Sequence, residues 1–142
     1  MWRCLPLAVL VACSHADSAP PPPAAAPPPV AAPAPPVEPA LDLSGKWECL
    51  WTDSDAQGSE MWMVMNDGES FNVTLTGRDP GGRYTGSVTG TVKNRALELA
   101  FKYMDGTRGT MKLVASKNGL ILDGNSTRAK GGAVSHYGCS RA

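Results

Sequence analysis

The stretch Leu43-Ser44-Gly45-Lys46-Trp47-Glu48-Cys49-Leu50-Trp51 marks the start of the part of the chain that can fold. Read with the two-residue period of a β-strand, it places Trp47, Cys49 and Trp51 on one face. Two indoles and a thiol on the same side of a short strand are typical of a buried face. We therefore predict that this stretch is the first strand of the folded domain.

A shift in composition predicts where that domain begins. All fifteen glycines lie at or after Gly45, and eleven of the thirteen prolines lie between Pro20 and Pro39. This places the domain at residues 41–142, which is long enough for one hydrophobic core. From Leu41 onward, the chain has twelve Lys and Arg residues and eleven Asp and Glu residues. Such a balance gives no basic face for nucleic acid, so we expect no nucleic-acid partner.

The cysteines of the domain predict a disulfide. Cys49 lies in the first strand, and Cys139 lies three residues from the end of the chain. A pair of cysteines in an exported domain indicates a disulfide, which should stabilise the fold by roughly 4 kcal/mol on the chain-entropy model. Zinc is a poor alternative because no second pair of cysteines and no clustered histidine completes a tetrahedral site.

The first twelve residues have the pattern of an export signal and are too short to span a bilayer. The motif Leu10-Val11-Ala12-Cys13 resembles the lipobox of bacterial lipoproteins. The resemblance implies that residues 1–12 are removed, that Cys13 is lipidated, and that the domain faces the periplasm or the cell exterior. Ser14, in place of an aspartate, implies the outer membrane if the host has two membranes. The alternative is an ordinary signal peptide that is cleaved elsewhere.

Residues 13–40 then form a tether between the lipidated cysteine and the domain. Alanine and proline dominate this segment, which holds almost no large apolar side chain. It cannot bury enough surface to fold, and its prolines favour an extended polyproline II conformation. We predict a disordered spacer.

The pattern of the domain is all-β. Short alternating segments are separated by turn signals such as Asn66-Asp67-Gly68-Glu69 and Lys117-Asn118-Gly119. Ala96 to Tyr103 has helix-forming residues but alternates cleanly, so we interpret it as a strand. The count is about eight short strands and no helix, which predicts a small up-and-down antiparallel barrel. An open sandwich remains the alternative.

The opening residues Leu43-Ser44-Gly45-Lys46-Trp47 resemble the first strand of the avidins and, more loosely, the Gly-x-Trp start of the lipocalins. The resemblance implies an eight-stranded barrel that binds a small molecule at its open end. It also implies that Arg141 packs across Trp47, as a late arginine does in lipocalins. Biotin binding is not implied, because no tryptophan follows Trp62.

Motifs for catalysis are missing from the sequence. The domain holds one histidine, His136, and lacks both a nucleophile elbow and a phosphate-binding glycine loop. Asp53, Asp55 and Glu60 do not have the spacing of a calcium loop. We therefore expect no enzymatic activity and no cofactor.

A methionine-rich strand suggests an alternative function. Met61, Met63 and Met65 share one face of a predicted strand. Thioethers bind Cu(I), and His136 would add a nitrogen ligand if its strand lay nearby, as in a periplasmic Cu(I) or Ag(I) carrier. The commoner role of such methionines is to fill gaps in a core.

If these methionines face inward, Trp62 and Val64 face outward. Large exposed apolar groups mark contact sites, so the pair would form an interaction surface for a protein, a glycan or the stalk. The opposite register would bury Trp62 and expose the methionines. Three functions follow: a binding module of unknown ligand, a Cu(I) carrier, or a purely structural envelope lipoprotein, in each case as a monomer.

Overall fold

The computed structural model describes residues 19–35 and 40–142. Outside the described residues lie the predicted leader, the lipobox with Cys13, and residues 36–39. Residues 19–35 contain no helix or strand and are exposed. Eight strands follow: β1 Gly45–Thr52, β2 Gln57–Asp67, β3 Ser70–Asp79, β4 Gly82–Lys93, β5 Ala96–Tyr103, β6 Arg108–Ala115, β7 Ile121–Arg128 and β8 Val134–Arg141. In the part of the chain so described, no helix has the length and hydrophobicity to cross a bilayer.

The strands form one closed antiparallel barrel in chain order, with β1 paired to both β2 and β8. This confirms the predicted eight-stranded up-and-down barrel, and Ala96–Tyr103 is a strand as expected. Each strand alternates buried and exposed side chains, because an eight-stranded barrel has an interior wide enough for side chains from one face of every strand. Closure leaves no free sheet edge.

One end of the barrel is closed by the segment that precedes β1. The Leu43 side chain is fully buried there, and the Trp47 indole donates a hydrogen bond to the Leu43 carbonyl over 2.9 Å. The Arg141 guanidinium lies 5.2 Å from the centre of the Trp47 ring and donates to the Asp42 carbonyl over 2.7 Å. The predicted packing of Arg141 across Trp47 is confirmed.

The predicted disulfide is also confirmed. Cys49 and Cys139 lie directly opposite each other in β1 and β8, with their Cα atoms 4.0 Å apart, and their sulfurs are bonded. Both residues are buried. The bond therefore joins the first and last strands at the seam where the barrel closes.

The predicted orientation of β2 is wrong. Trp62 and Val64 face the interior and are buried, whereas 54% of Met63 and 71% of Met65 is exposed. The physical reason is the pairing with β1: Trp62 lies directly opposite Trp47, and residues opposite each other in an antiparallel pair point to the same side of the sheet. Trp62 and Val64 are thus core residues and form no surface, and the exposed apolar side chains of this strand are Met63 and Met65, as the opposite register predicted.

Candidate functional site

The end of the barrel opposite Leu43 holds a cavity of about 330 Å³. The loops and turns that surround this open end connect β1 to β2, β3 to β4, β5 to β6, and β7 to β8. Five aromatic side chains line the cavity: Trp51, Tyr84, Phe101, Tyr103 and Tyr137. Concave, largely aromatic cavities with a few polar groups are the usual form of small-molecule sites.

A buried carboxylate lies beneath this cavity. The Glu60 side chain on β2 is only 3% exposed. Its Oε2 accepts a hydrogen bond from the Trp62 indole over 2.6 Å. Its Oε1 accepts from the hydroxyls of Tyr84, Tyr103 and Tyr137 over 2.8, 2.9 and 3.1 Å. Four donors therefore converge on one carboxylate, which is the arrangement that satisfies an ionised acid in a dry interior.

The network extends beyond Glu60 in two directions. The Trp51 indole donates to the Tyr84 hydroxyl over 2.8 Å. The hydroxyls of Tyr103 and Tyr137 lie 3.0 Å apart. Five strands, β1, β2, β4, β5 and β8, therefore meet at this one cluster, in which directly bonded residues are up to 77 positions apart.

The surroundings keep the tyrosines protonated. Burial raises the pKa of Tyr84, Tyr103 and Tyr137 well above the usual value, and the nearby Glu60 charge raises each pKa further. A phenolate here would lose its hydration and would meet a like charge. The three hydroxyls therefore stay protonated well above neutral pH and donate their hydrogen bonds within this network.

Glycines on neighbouring strands set the position of the aromatic rings. A Cβ atom at Gly77 would overlap the Tyr84 ring, and one at Gly58 would lie 2.5 Å from the Trp51 ring. A Cβ atom at Gly86 would likewise meet the Tyr103 ring, and one at Gly109 would meet the Phe101 ring. Each glycine is the register partner of its aromatic residue. The rings therefore lie across bare backbone on the barrel wall and leave space along the axis.

Charged groups of both signs surround the mouth of the cavity. Asp79, Asp105, Arg83 and Arg128 line it. Backbone hydrogen bonds lower the pKa of the exposed Asp105 carboxyl, and the Arg128 charge lowers it a little further. The hydroxyls of two buried serines, Ser126 and Ser135, lie side by side on β7 and β8 and complete the lining.

The structure does not bring the predicted copper ligands together. Those ligands are Met61, Met63, Met65 and His136. Met61 lies opposite Glu48, whose partner on β8 is Ser140, four residues beyond His136. His136 is therefore about 14 Å along the strands and about 10 Å across them from Met61. Within the described residues, no group of three His, Cys, Asp or Glu side chains is placed to hold a metal ion.

His136 has different neighbours from those the copper hypothesis requires. It lies on the outer face of β8, where its Nε2 is 3.3 Å from an Asp123 carboxylate oxygen. Its Nδ1 is 3.4 Å from the Asn125 side-chain oxygen. These are exposed surface contacts along β7 and β8, and they contribute little to stability.

Comparisons with known proteins show the fold alone. No protein-family model matches this chain, and no curated protein matches it. A de novo designed fluorescence-activating β-barrel is 14% identical, with a TM-score of 0.61, over 70% of this chain and 93% of that chain. A redesigned β-barrel is 17% identical, with a TM-score of 0.58, over 70% and 91%. These likenesses support the barrel and say nothing about a ligand.

Proposed function

We propose that this protein is a non-enzymatic binding module that holds one small ligand in the open end of its barrel. The observation that carries the proposal is the cavity of about 330 Å³ whose inner wall is organised by buried Glu60. A cavity of this size suits a ligand of one or two rings, at the lower end of the range for ligand sites.

The composition of the cavity supports a binding role over a purely structural one. A barrel that only needs stability is best filled with apolar side chains at full density. Here an acid, three phenols and two serines occupy interior positions, and four glycines hold rings against the wall. A buried acid together with its donors often stabilises a fold no more than an apolar cluster that replaces all of them, so the presence of the whole network favours recognition.

We further propose that the chain is a lipoprotein anchored through Cys13. The support is the lipobox pattern Leu10 to Cys13 and the Pro/Ala-rich segment that follows. Within the barrel domain, the end closed by Leu43 lies opposite the end that holds the cavity.

The binding proposal is tested by a fragment screen on the folded domain, read by backbone amide NMR. Shifts should cluster around Trp51, Tyr84 and Tyr103. A variant with Ser126→Leu and Ser135→Leu, which fills the cavity, should lose them, whereas Ser87→Leu on the outer face of β4 should retain them. Binding that survives the filled cavity, or a screen with no cavity ligand, would contradict the proposal.

The anchoring proposal needs a separate experiment. Cys13→Ala should move the protein from the membrane fraction to the soluble fraction, and Cys4→Ala in the predicted leader serves as the matched cysteine control. Metabolic labelling with a fatty acid should mark the wild type and not Cys13→Ala. A Cys13→Ala protein that stays in the membrane fraction would show that the anchor is elsewhere.

A further inference from the structure

A count of the hydroxyl and indole protons shows whether the aromatic side chains offer a ligand hydrogen-bond donors or acceptors. Each tyrosine hydroxyl has one proton, and all three hydroxyls lie within hydrogen-bond distance of Glu60 Oε1. The contact between Tyr103 and Tyr137 gives one of these protons a second possible acceptor, which is still inside the network. The Trp51 indole proton is used by Tyr84. The phenols therefore offer a ligand only oxygen lone pairs.

In the described part of the chain, the negative charge of Glu60 is not balanced by a positive group around the cavity. Among the described residues, no lysine or arginine donates a hydrogen bond to Glu60, whose partners are all neutral. At the mouth, Asp79 and Asp105 balance Arg83 and Arg128. The acid beneath the cavity is thus the one charge that the lining leaves without a counterpart.

The aromatic walls of the cavity also favour a positively charged ligand. Trp51, Tyr84, Phe101 and Tyr103 line the cavity, and the ring centres of Tyr84 and Tyr103 lie 4.9 Å apart. Aromatic faces carry negative charge density and attract cations, most strongly where water is excluded. An anion would meet both this density and the Glu60 charge. A ligand that only accepts hydrogen bonds would find no donor among the phenols, and the donors around them belong to Ser126, Ser135, Thr107, Arg83 and Arg128.

We propose that the occupant of this cavity is a small organic cation with N–H donors, such as a primary ammonium or amidinium group attached to a flat apolar ring. This inference rests on the proposed binding function and specifies the chemistry of its ligand. The N–H groups point toward the phenol oxygens, the positive charge offsets Glu60, and the apolar ring lies against the aromatic wall. The cation reaches Glu60 through the tyrosines, because four donors already occupy the carboxylate.

The experiment compares three probes of nearly equal shape: benzylammonium, benzyl alcohol and benzoate, titrated into the wild-type protein by NMR at neutral pH. We expect benzylammonium to bind at least about tenfold more tightly than benzyl alcohol, and benzoate to bind more weakly still. Glu60→Gln should abolish the preference for the cation. Glu48→Gln, which removes an equal charge from the outer face of β1, should preserve it.

The outcomes separate this inference from the function on which it rests. If benzyl alcohol or benzoate binds in the cavity as tightly as benzylammonium, the cation preference is wrong and the binding function stands. If none of the three probes binds, and the fragments that do enter the cavity are neutral or anionic, the inference is also wrong. If no compound of any charge enters, both proposals fail. The wild-type comparison decides the matter even if Glu60→Gln does not fold.

Discussion

The tyrosine network predicts an unusual loss of stability at alkaline pH. The chain has three tyrosines, and all three donate to or lie beside Glu60. In the folded domain their pKa values are raised, first by burial and then by the Glu60 charge. In the unfolded chain they titrate near pH 10. A raised pKa in the folded state stabilises the fold fully below about pH 10, and this contribution is lost as the pH rises above that value.

The magnitude follows from the proton balance. For each phenol that is protonated in the folded state and ionised in the unfolded state, the free energy of unfolding falls by about 1.4 kcal/mol per pH unit. Between about pH 9 and pH 11, Tyr103 and Tyr137 together should lower it by about 3 kcal/mol. Tyr84 is less buried than Tyr103 and Tyr137, so solvent screening reduces its share to below about 1 kcal/mol.

Urea unfolding at a series of alkaline pH values measures this loss, and near-ultraviolet absorbance of phenolate reports ionisation directly. Tyr137→Phe is the control for other groups that titrate in this range, such as lysines. It should reduce the loss between about pH 9 and pH 11 by about 1.4 kcal/mol, the contribution of one phenol. The reasoning would be refuted by phenolate absorbance that rises near pH 10 while circular dichroism still shows a folded barrel. Equal pH dependence of the wild type and Tyr137→Phe would refute it as well.

Three further predictions concern the parts that build the site. In a urea titration, Glu60→Leu should lower the free energy of unfolding by about 2 to 4 kcal/mol, because it leaves the Trp62 indole and the phenols without their acceptor. The control Glu48→Leu, on the outer face of β1, should change it by less than about 0.5 kcal/mol. Gly77→Ala should lower the free energy of unfolding by about 1 to 3 kcal/mol and alter the Tyr84 ring signals in NMR spectra, because the new Cβ would overlap that ring. Gly138→Ala, where the nearest atom is 4.0 Å away, is the matched control, and equal effects of the two substitutions would contradict the role given to Gly77. Replacing Cys49 and Cys139 together by serine should lower stability by about 4 kcal/mol through the loop of 90 residues that the bond closes, and an unchanged unfolding midpoint would show that the seam is held by strand pairing alone.

The barrel itself could be predicted from local patterns. Alternation in each segment identified the strands, and turn signals between them fixed the order of a meander. The disulfide followed from the positions of Cys49 and Cys139 near the two ends of the domain, and closure places their strands side by side. These predictions succeed because alternation and turn chemistry are local properties of the chain.

The orientation of β2 could not be predicted in the same way. Met61 to Met65 has apolar side chains on both faces, so alternation defines two sets of residues without saying which set faces inward. The pairing of Trp62 with Trp47 decides it, and that pairing is a long-range contact. The greater apolar area of a tryptophan was the one local signal that favoured the observed register.

The candidate site was missed for the same reason. Glu60 stands two residues before Trp62, so it must face inward once Trp62 does, yet an acid in a strand is ordinarily assigned to the solvent face. Alternation puts Tyr84 on the same face as Val88, and Tyr103 on the same face as Phe101, so both tyrosines read as ordinary core residues. Their convergence with Tyr137 on one carboxylate depends on how closure aligns β4, β5 and β8 around β2. That alignment is set by the register of the whole barrel and not by any single segment.

The opening strand spans both ends of the barrel and makes different contacts at each. Trp47 lies at the closed end under Leu43 and Arg141, where its contacts are apolar or made with the chain's own backbone and guanidinium. Trp51, four residues later on the same face, donates into the network at the open end. Cys49 lies between them and bonds the strand to β8. Because the closed end and the disulfide hold β1 in place, the open end can retain an unfilled cavity, which costs stability relative to a fully packed interior.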